Sequence, residues 1–569
     1  MKKFHLISLI LIMSTSVFAQ YEGNTTPTYP ELIEIYQNLA TENEEIELYE
    51  MGESDYGLPI YLCVINGAQD SLKTMEKARS STTLLINNAI HPGEPDGVNA
   101  CLIWIQNWIK EGRKLKNLPV IGIIPAYNVG GMMNRSSSSR ANQDGPEEYG
   151  FRGNAQNLDL NRDFIKMDSK NMFTFAKIYH ALDPDVFIDT HVSNGADYQY
   201  TLTYIAGIRE RMSPELGALM HDDFIPELKN YTSSLSFDMV PYVNLKGKTP
   251  EEGIAEFNDL PRYAMGYASL MNAMSFTIET HMLKPFPERV KATQAFIAGT
   301  ISWMSKNAVE IESARKKAFE WEEQLSHYNF NFQLSEKEDS ILFKGFEFTN
   351  PVSELTGLPR LKYHQDRPYE KMVPYFNDYV AQDSVFIPDY YIIGGQCTAV
   401  LEHLKENKIE MTVLKGGEER QLGQYRIVSY KSGKQPYENH FLHSEIEQEE
   451  NLVVKQFKEG DVLISTHQKN RRFIISVLES STPDSYFAWN FFDSYVQQKE
   501  YFSSYVFEDK ALEILKANPS INTEFEKKKA EDKEFANSAG AQLYFIYVRS
   551  EYYEPTHNYI PLYSGMYNN

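Results

Sequence analysis

The chain has 569 residues, a formal net charge of -23 and 42% hydrophobic residues. This length exceeds what one hydrophobic core usually supports, so we expect two or more domains. The acidic balance argues against a nucleic-acid partner, which needs a basic face. An odd count of three cysteines does not indicate a disulfide framework, and we expect Cys63 and Cys101 to be buried as small hydrophobic residues.

The N-terminus has the three parts of a secretory signal peptide. Two lysines near the start precede an apolar run over residues 6–13, and Val17-Phe18-Ala19 has the small-residue spacing of a cleavage site. The apolar run is too short for a comfortable membrane span. We therefore predict a signal peptide over residues 1–19 and a secreted or periplasmic protein without a membrane span.

The first half of the chain alternates between strand and helix patterns. Predicted strands cover residues 46–51, 59–65, 82–89, 120–124, 186–189 and 275–278, and predicted helices cover residues 29–39, 96–110 and 172–182. This alternation predicts an α/β domain over residues 20–315, with a mixed, largely parallel sheet flanked by helices. A long polar stretch at residues 128–157 is typical of a functional or mobile loop.

Beyond about residue 315 the pattern changes. Short alternating runs predict strands at residues 341–348, 426–430, 461–465 and 473–477, and two helices are predicted at residues 398–405 and 524–535. We predict a β-rich C-terminal domain of unknown role over residues 325–569. Its segment His440-Phe441-Leu442-His443 is more typical of a solvated loop than of a metal site.

Two predicted strands of the first half end in a histidine. One runs into His91-Pro92-Gly93-Glu94, and the other ends at His191. Ligands of open α/β sheets gather outside the carboxyl ends of the strands. Imidazole and carboxylate groups are ligands of catalytic zinc, which commonly takes three protein ligands and leaves a fourth position open. His91, Glu94 and His191 are therefore candidate zinc ligands.

Other polar residues supply the remaining chemistry of such a site. Glu279 ends a third strand-like segment, where a carboxylate could take a proton from a zinc-activated water. Asn161 and Arg162 lie in a polar segment downstream of Arg152. An Arg fork binds a carboxylate in bidentate fashion, whereas Arg152 could instead face the oxyanion of a cleaved carbonyl.

These motifs and their order resemble the zinc metallocarboxypeptidases of the carboxypeptidase A type. The resemblance covers about residues 25–310. His91-Pro92-Gly93-Glu94 resembles the His-x-x-Glu zinc pair of that family, Asp159-Leu160-Asn161-Arg162-Asp163-Phe164 its Asp-x-Asn-Arg-Asn-Phe signature, His191 its late zinc histidine, and Thr277-Ile278-Glu279 the strand that carries its catalytic Glu.

The resemblance implies a hydrolase that removes C-terminal residues from peptides with a free terminal carboxylate. It implies one zinc per chain, held by His91, Glu94 and His191, and it implies Glu279 as general base and then proton donor to the leaving amine. It also implies that Arg152 polarises the scissile carbonyl, that Asn161 and Arg162 bind the terminal carboxylate, and that Asp159 accepts a hydrogen bond from a ligand histidine.

The chain departs from the family pattern in several places. Gly93 stands where the family often has an Arg, and Arg135 or Arg140 competes with Arg152 for its role. The substrate-capping Tyr of the family has no clear counterpart; Tyr263 and Tyr267 are the candidates. A second His-x-x-Glu, His403-Leu404-Lys405-Glu406, lies on a predicted helix with no strand before it, and we do not interpret it as a site.

Two alternatives remain open at the level of sequence. The same fold resembles zinc amidases and peptidases that act on peptidoglycan stem peptides or on N-acyl amino acids. An inactive binding protein on this fold is the other alternative, although the candidate ligands and Glu279 are chemically intact.

Overall fold

The computed structural model describes residues 23–567, so the predicted signal peptide lies outside the described residues. Within that span, no helix is both long and apolar enough to cross a membrane. We refer to residues 23–324 as the N-terminal region and to residues 325–567 as the C-terminal region.

The N-terminal region is built around an eight-stranded mixed sheet with the strand order β1-β2-β4-β3-β5-β10-β6-β7. Its central strands β4, β3, β5 and β10 are parallel, and β1, β2 and β6 add antiparallel pairs. Every residue of β3, β4 and β5 is buried, as expected for strands covered on both faces. The strands of this region are β1 (Ile46–Glu53), β2 (Pro59–Ile65), β3 (Thr83–Asn87), β4 (Val120–Ile124), β5 (Val186–Ser193), β6 (Leu202–Ala206), β7 (Met239–Pro241), β8 (Asn244–Leu245), β9 (Ile254–Ala255) and β10 (Met274–His281).

Helices flank this sheet, which confirms the predicted fold class. The helix at Lys170–Leu182 begins where the Ser169 side chain accepts a hydrogen bond from the Met172 N–H, and it ends at Asp183 in the left-handed conformation. The helices are α1 (Tyr29–Glu42), α2 (Ser71–Arg79), α3 (Asp96–Lys110), α4 (Val129–Met133), α5 (Lys170–Leu182), α6 (Pro214–Ala218), α7 (Ile225–Ser234), α8 (Ala264–Leu270), α9 (Phe286–Lys306) and α10 (Ala308–Gln324).

The C-terminal region is β-rich, as predicted, with an antiparallel sheet of order β16-β19-β15-β20-β17-β18. Its strands are β11 (His327–Leu334), β12 (Asp339–Thr349), β13 (Lys362–Phe376), β14 (Tyr379–Phe386), β15 (Tyr390–Ile393), β16 (Thr412–Lys415), β17 (Glu419–Ser432), β18 (His443–Gln456), β19 (Glu459–Ser465) and β20 (Tyr559–Gly565). Its helices are α11 (Thr398–Glu406), α12 (Arg471–Leu478), α13 (Ser504–Ala517), α14 (Pro519–Glu531), α15 (Lys533–Ala536) and α16 (Ala539–Tyr547).

Two predictions for this region are wrong, and a third is wrong in part. The strand predicted at residues 473–477 is part of α12, whose residues are all buried, and a short buried apolar run does not distinguish strand from helix. The helix predicted at residues 524–535 is interrupted at Asp532, whose side chain caps α15. The segment His440–His443 is only in part a solvated loop, because Phe441 is 49% exposed but His443 is buried in β18 and His440 bonds to the N-terminal region.

The two regions are packed into one structure. β13 pairs in parallel with β9 in a four-stranded sheet of order β12-β13-β9-β8. One hydrophobic cluster contains buried side chains of both regions, and the Tyr267 and Phe473 rings lie 6.1 Å apart within it. At the same interface, Arg472 Nε donates to Glu322 Oε1 over 2.5 Å. The domain boundary near residue 320 stays a prediction.

Candidate functional site

The candidate residues meet at one edge of the eight-stranded sheet. His91 and Glu94 lie in the turn after β3, where the Glu94 N–H donates to the His91 carbonyl over 2.8 Å. His191 lies in β5 and Glu279 in the adjacent β10, where the two residues are register partners. Because β3, β5 and β10 run parallel, their carboxyl ends deliver these side chains to the same edge.

His91, Glu94 and His191 form a group that could hold a metal ion. One ligand atom from each lies within 4.8 Å of the others, and all three residues are buried. His91 Nε2 lies 2.9 Å from Asp159 Oδ1, and His191 Nε2 lies 2.7 Å from Asp189 Oδ2. Each carboxylate accepts a hydrogen bond from an Nε2–H group, so in the neutral histidine Nδ1 keeps its lone pair.

Both Nδ1 atoms face the Glu94 carboxylate, at 3.4 Å for His91 and 3.1 Å for His191. His91 Nδ1 is buried without a hydrogen-bond partner. Two imidazole nitrogens and one carboxylate are a common donor set of catalytic zinc sites. The residues present therefore fit a zinc ion.

The electrostatics of this group favour a bound cation. Burial raises the pKa of Glu94, but Arg140 and His91 outweigh it and hold that pKa well below its ordinary value. Burial lowers the pKa of His191, but Asp189 and then Glu94 outweigh it and raise the pKa well above its ordinary value. The negative charges of Asp189 and Glu94 that stabilise a proton on His191 would also attract a metal ion, which competes with that proton.

Glu279 faces the same space with a free carboxylate oxygen. Its Oε2 atom is buried and has no hydrogen-bond partner. Burial raises the pKa of Glu279 above its ordinary value; His191 opposes the rise, and Glu94 and Asp259 add to it. A carboxylate with a raised pKa and no partner is suited to accept and return a proton during a reaction.

Two arginines lie at the mouth of the site. Arg152 donates from Nε and Nη2 to Asp159 Oδ2 over 3.0 and 2.8 Å, and its side chain is 45% exposed. Arg140 Nη2 donates to Glu94 Oε1 over 2.7 Å. Both line the cavity, whereas Arg135 donates to backbone carbonyls, including that of Glu148, and is not among the lining residues.

The structure gives a physical reason for Gly93 within the His-x-x-Glu motif. A Cβ atom at Gly93 would lie 2.3 Å from Arg140 Nε, which is closer than such contacts allow. The missing side chain therefore makes room for the Arg140 guanidinium beside Glu94. Arg140, which belongs to the long polar segment at residues 128–157, thus places a positive charge next to Gly93, where the motif itself carries none.

Asn161 and Arg162 lie on a 3₁₀ turn at Leu160–Arg162, which begins where Asp159 Oδ1 accepts the Asn161 N–H over 2.9 Å. The Asn161 side-chain oxygen accepts the Ala264 N–H, also over 2.9 Å. The Arg162 guanidinium lies over the Tyr263 ring at 4.4 Å. Asn161, Arg162 and Tyr263 all line the cavity.

Tyr267, the other tyrosine considered, is fully buried and donates to Asn407 Oδ1 over 2.6 Å. Of the two tyrosine candidates, only Tyr263 therefore lies in the cavity.

Sequence patterns did not identify two further residues of the site. The Asp189 side chain hydrogen-bonds His191. Because Asp189 precedes His191 by two residues in β5, alternation along the strand places both on the same face, and this signal could have identified Asp189. Asp259 lines the cavity from the segment between β9 and α8, where no motif marks it, and burial raises its pKa to about 7. The cavity has a volume of about 580 Å³.

Comparisons with known proteins give similarities to solved structures alone. No family model matches the chain, and no curated protein matches it. A metallo-carboxypeptidase from Burkholderia cenocepacia is 16% identical over 49% of this chain and 68% of its own, with a TM-score of 0.35. A metallo-carboxypeptidase from Pseudomonas aeruginosa, in complex with (2-guanidinoethylmercapto)succinic acid, is 16% identical over 48% of this chain and 68% of its own, with a TM-score of 0.35.

Bovine thrombin-activatable fibrinolysis inhibitor, in complex with tick carboxypeptidase inhibitor, is 14% identical over 51% of this chain and 100% of its own, with a TM-score of 0.35. Among the bacterial carboxypeptidase structures, the match spans 66% to 71% of their length. Each of these three matches covers about half of this chain.

Proposed function

We propose that this protein is a zinc-dependent metallocarboxypeptidase that hydrolyses C-terminal peptide bonds. One observation carries the proposal: a buried His91–Glu94–His191 group opens onto the same cavity as an unpaired Glu279 carboxylate and several guanidinium groups. A metal site, a proton acceptor and anion-binding groups are the parts that hydrolysis of a C-terminal peptide bond requires.

His91, Glu94 and His191 would hold the zinc ion. When bound, zinc would act as a Lewis acid towards the scissile carbonyl and would lower the pKa of water. Asp159 and Asp189 keep the proton on Nε2 of the two histidines, so that Nδ1 stays available as a ligand.

Glu279 would move the protons of the reaction. Its carboxylate lies in register with His191, and its unpaired Oε2 can accept a proton from the attacking water. The same carboxyl group would then return that proton to the nitrogen of the leaving residue, since peptide cleavage needs a base first and an acid afterwards. The raised pKa of Glu279 favours the second step.

The arginines would bind two groups of the substrate, the carbonyl of the scissile bond and the terminal carboxylate. Arg152 and Arg140 stand beside Glu94 and could stabilise negative charge that develops on the carbonyl oxygen. Arg162, which lies over the Tyr263 ring, and Asn161 would bind the free terminal carboxylate. Recognition of that carboxylate makes the proposed activity exopeptidic.

The experiment compares N-acyl dipeptides that have a free or an amidated C-terminus. The purified full chain is stripped of metal with a chelator, reloaded with one equivalent of zinc, and assayed on both substrates beside muropeptides and N-acyl amino acids. We expect hydrolysis of the free dipeptide, dependent on zinc, with the amide at least about 100-fold slower because Arg162 loses its anionic partner. Equal rates on both substrates, or full activity without metal, would contradict the proposal.

A further inference from the structure

A tight turn of the C-terminal region contacts the segment at residues 159–168, which carries the cavity-lining residues Asn161 and Arg162. The β17–β18 pairing ends at Ser432 and His443, and beyond it Tyr437 and His440 exchange both backbone hydrogen bonds, over 2.7 and 3.1 Å. The two residues between them have φ values of 47° and 74°, as expected for a two-residue hairpin turn of the primed type. We call residues Tyr437–His440 the docking turn.

Two side chains of the docking turn bond directly to the segment that carries the candidate site residues. Glu438 Oε2 accepts the Asp159 backbone N–H over 2.7 Å. His440 Nε2 lies 2.9 Å from Asp168 Oδ2, a carboxylate that also pairs with Lys166. The docking turn is therefore fixed on both sides of the Asn161-Arg162 pair.

Tyr437 lies beside the residue proposed to bind the substrate carboxylate. Burial lowers the pKa of Arg162, but Asp159, Tyr263 and Tyr437 outweigh it and raise that pKa. The fully buried Trp489 ring stacks at 6.1 Å from the Tyr437 ring and lies 5.6 Å from His440. Trp489 thus supports the docking turn from the C-terminal side.

Asp159, the residue that Glu438 contacts, links several parts of the site. Its Oδ1 atom lies 2.9 Å from His91 Nε2, and its Oδ2 atom accepts two hydrogen bonds from Arg152. Asp159 also begins the 3₁₀ turn that carries Asn161 and Arg162. A bond that fixes the Asp159 backbone therefore acts on a metal-ligand histidine and on the carboxylate-binding turn together.

We infer that the docking turn is part of the catalytic site, where Tyr437 positions Arg162 for the substrate carboxylate and Glu438 positions Asp159 for His91. The inference rests on the proposed carboxypeptidase function, and it gives the C-terminal region a role in that function. Both are positioning residues, because they act through Arg162 and Asp159 rather than on the reacting atoms.

The first test replaces Tyr437 by Phe in the full chain, which removes the hydroxyl and keeps the ring on Trp489. We expect KM for an N-acyl dipeptide to rise about 3- to 10-fold, with kcat within about 2-fold, since the phenol oxygen that contributes to the electrostatics of Arg162 is lost. Zinc affinity should not change. Tyr505→Phe, at a tyrosine that is 84% exposed, is the matched control and should leave KM unchanged.

The second test uses two variants of Glu438, whose φ is positive. Glu438→Asn suits that backbone conformation but shortens the side chain, so the acceptor no longer reaches Asp159. Glu438→Gln keeps the length and an acceptor oxygen. We expect zinc affinity, measured by competition with a chromophoric chelator without substrate, to fall about 3- to 10-fold in Glu438→Asn. Glu438→Gln should retain it within about 2-fold, as should the control Glu447→Gln on the same hairpin.

The outcomes separate this inference from the proposed function. If the parent enzyme cleaves the dipeptide but Tyr437→Phe leaves KM unchanged and Glu438→Asn leaves zinc affinity unchanged, the docking turn only joins the two regions and the inference is wrong. If the parent binds zinc but cleaves no peptide, the proposed function fails, and the zinc affinities still decide the role of Glu438. Melting temperatures of all variants identify any loss caused by misfolding.

Discussion

The N-terminal and C-terminal regions both contain a histidine followed three residues later by a glutamate. His91 and Glu94 follow a buried parallel strand and meet His191 from the next strand. His403 and Glu406 lie on α11, where the His403 ring is buried at 5.2 to 5.9 Å from the rings of Phe173, Tyr486 and Phe491. In the part of the chain that the structure describes, the first group alone has the geometry of a metal site.

The difference shows what a metal site needs beyond ligand spacing. Parallel strands bring side chains from distant parts of the sequence to one edge, so carboxylates are available as ligands and as partners of the ring nitrogens. A helix in the core directs its histidine towards apolar side chains, and burial there lowers the pKa of His403 to about 4. The C-terminal region contacts the segment beside the candidate site through its docking turn, at Asp159 and Asp168.

Removal of the C-terminal region tests whether the two regions fold as independent units. Deleting all residues after Gln324 would expose Tyr267 to solvent and leave Glu322 without Arg472, although Glu322 is 2% exposed in the full chain. Because both regions share one hydrophobic cluster, we expect the fragment to aggregate or to lose its cooperative thermal transition. Calorimetry and size-exclusion chromatography measure this, and a monodisperse fragment that melts cooperatively would show that the N-terminal region folds alone.

Replacing one histidine of each motif sharpens the comparison. We expect His91→Ala to lower zinc affinity by more than about 100-fold, because the change removes a proposed ligand rather than one of its supports. His403→Ala should keep stoichiometric zinc and lower the free energy of unfolding by about 1–3 kcal/mol, since a buried ring is removed. Metal analysis and chemical denaturation measure the two effects, and zinc lost from both variants would mean that the second motif also contributes to metal binding.

The Glu279→Gln variant tests the proposed base and leaves the proposed metal ligands in place. We expect kcat to fall roughly 10²–10⁴-fold with zinc retained, because the amide cannot accept the proton of the attacking water. Glu256→Gln is the matched control: burial also raises the pKa of Glu256, to about 8, but this residue does not line the cavity. Steady-state kinetics measure kcat for both variants. Comparable losses of kcat in the two would indicate a general electrostatic effect of replacing a buried carboxylate rather than a role of Glu279 as the base.

The fold class and the candidate ligands could be predicted from the sequence for a physical reason. Continuous apolar runs such as residues 120–124 indicate strands covered on both faces, and polar residues directly after such runs must lie at a sheet edge. Asp259 and the docking turn could not be predicted in this way. Asp259 follows no periodic element, and Glu438 meets Asp159 across 279 positions of sequence. Contacts of this kind depend on how the two regions pack.

The smallest expected effect concerns the response of the two regions to acid. Burial lowers the pKa of His180 in the N-terminal region and of His403 in the C-terminal region to about 4, below their ordinary value of 6.5. The unfolded chain therefore binds protons that the folded chain excludes. The stability that each neutral histidine contributes is complete above pH 6.5 and is lost as the pH falls towards 4, by at most about 3 kcal/mol per residue.

Chemical denaturation between pH 7 and pH 5 measures this loss, in a range where most carboxylates stay ionised. We expect His403→Phe to flatten the decline relative to the parent chain, because a phenyl ring in the same aromatic surroundings takes up no proton. His327→Phe, at an exposed histidine, should leave the slope unchanged. If the free energy of unfolding of His403→Phe falls with pH as steeply as that of the parent, the His403 ring is protonated in the folded state. The aromatic burial that distinguishes His403 from His91 would then not hold in solution.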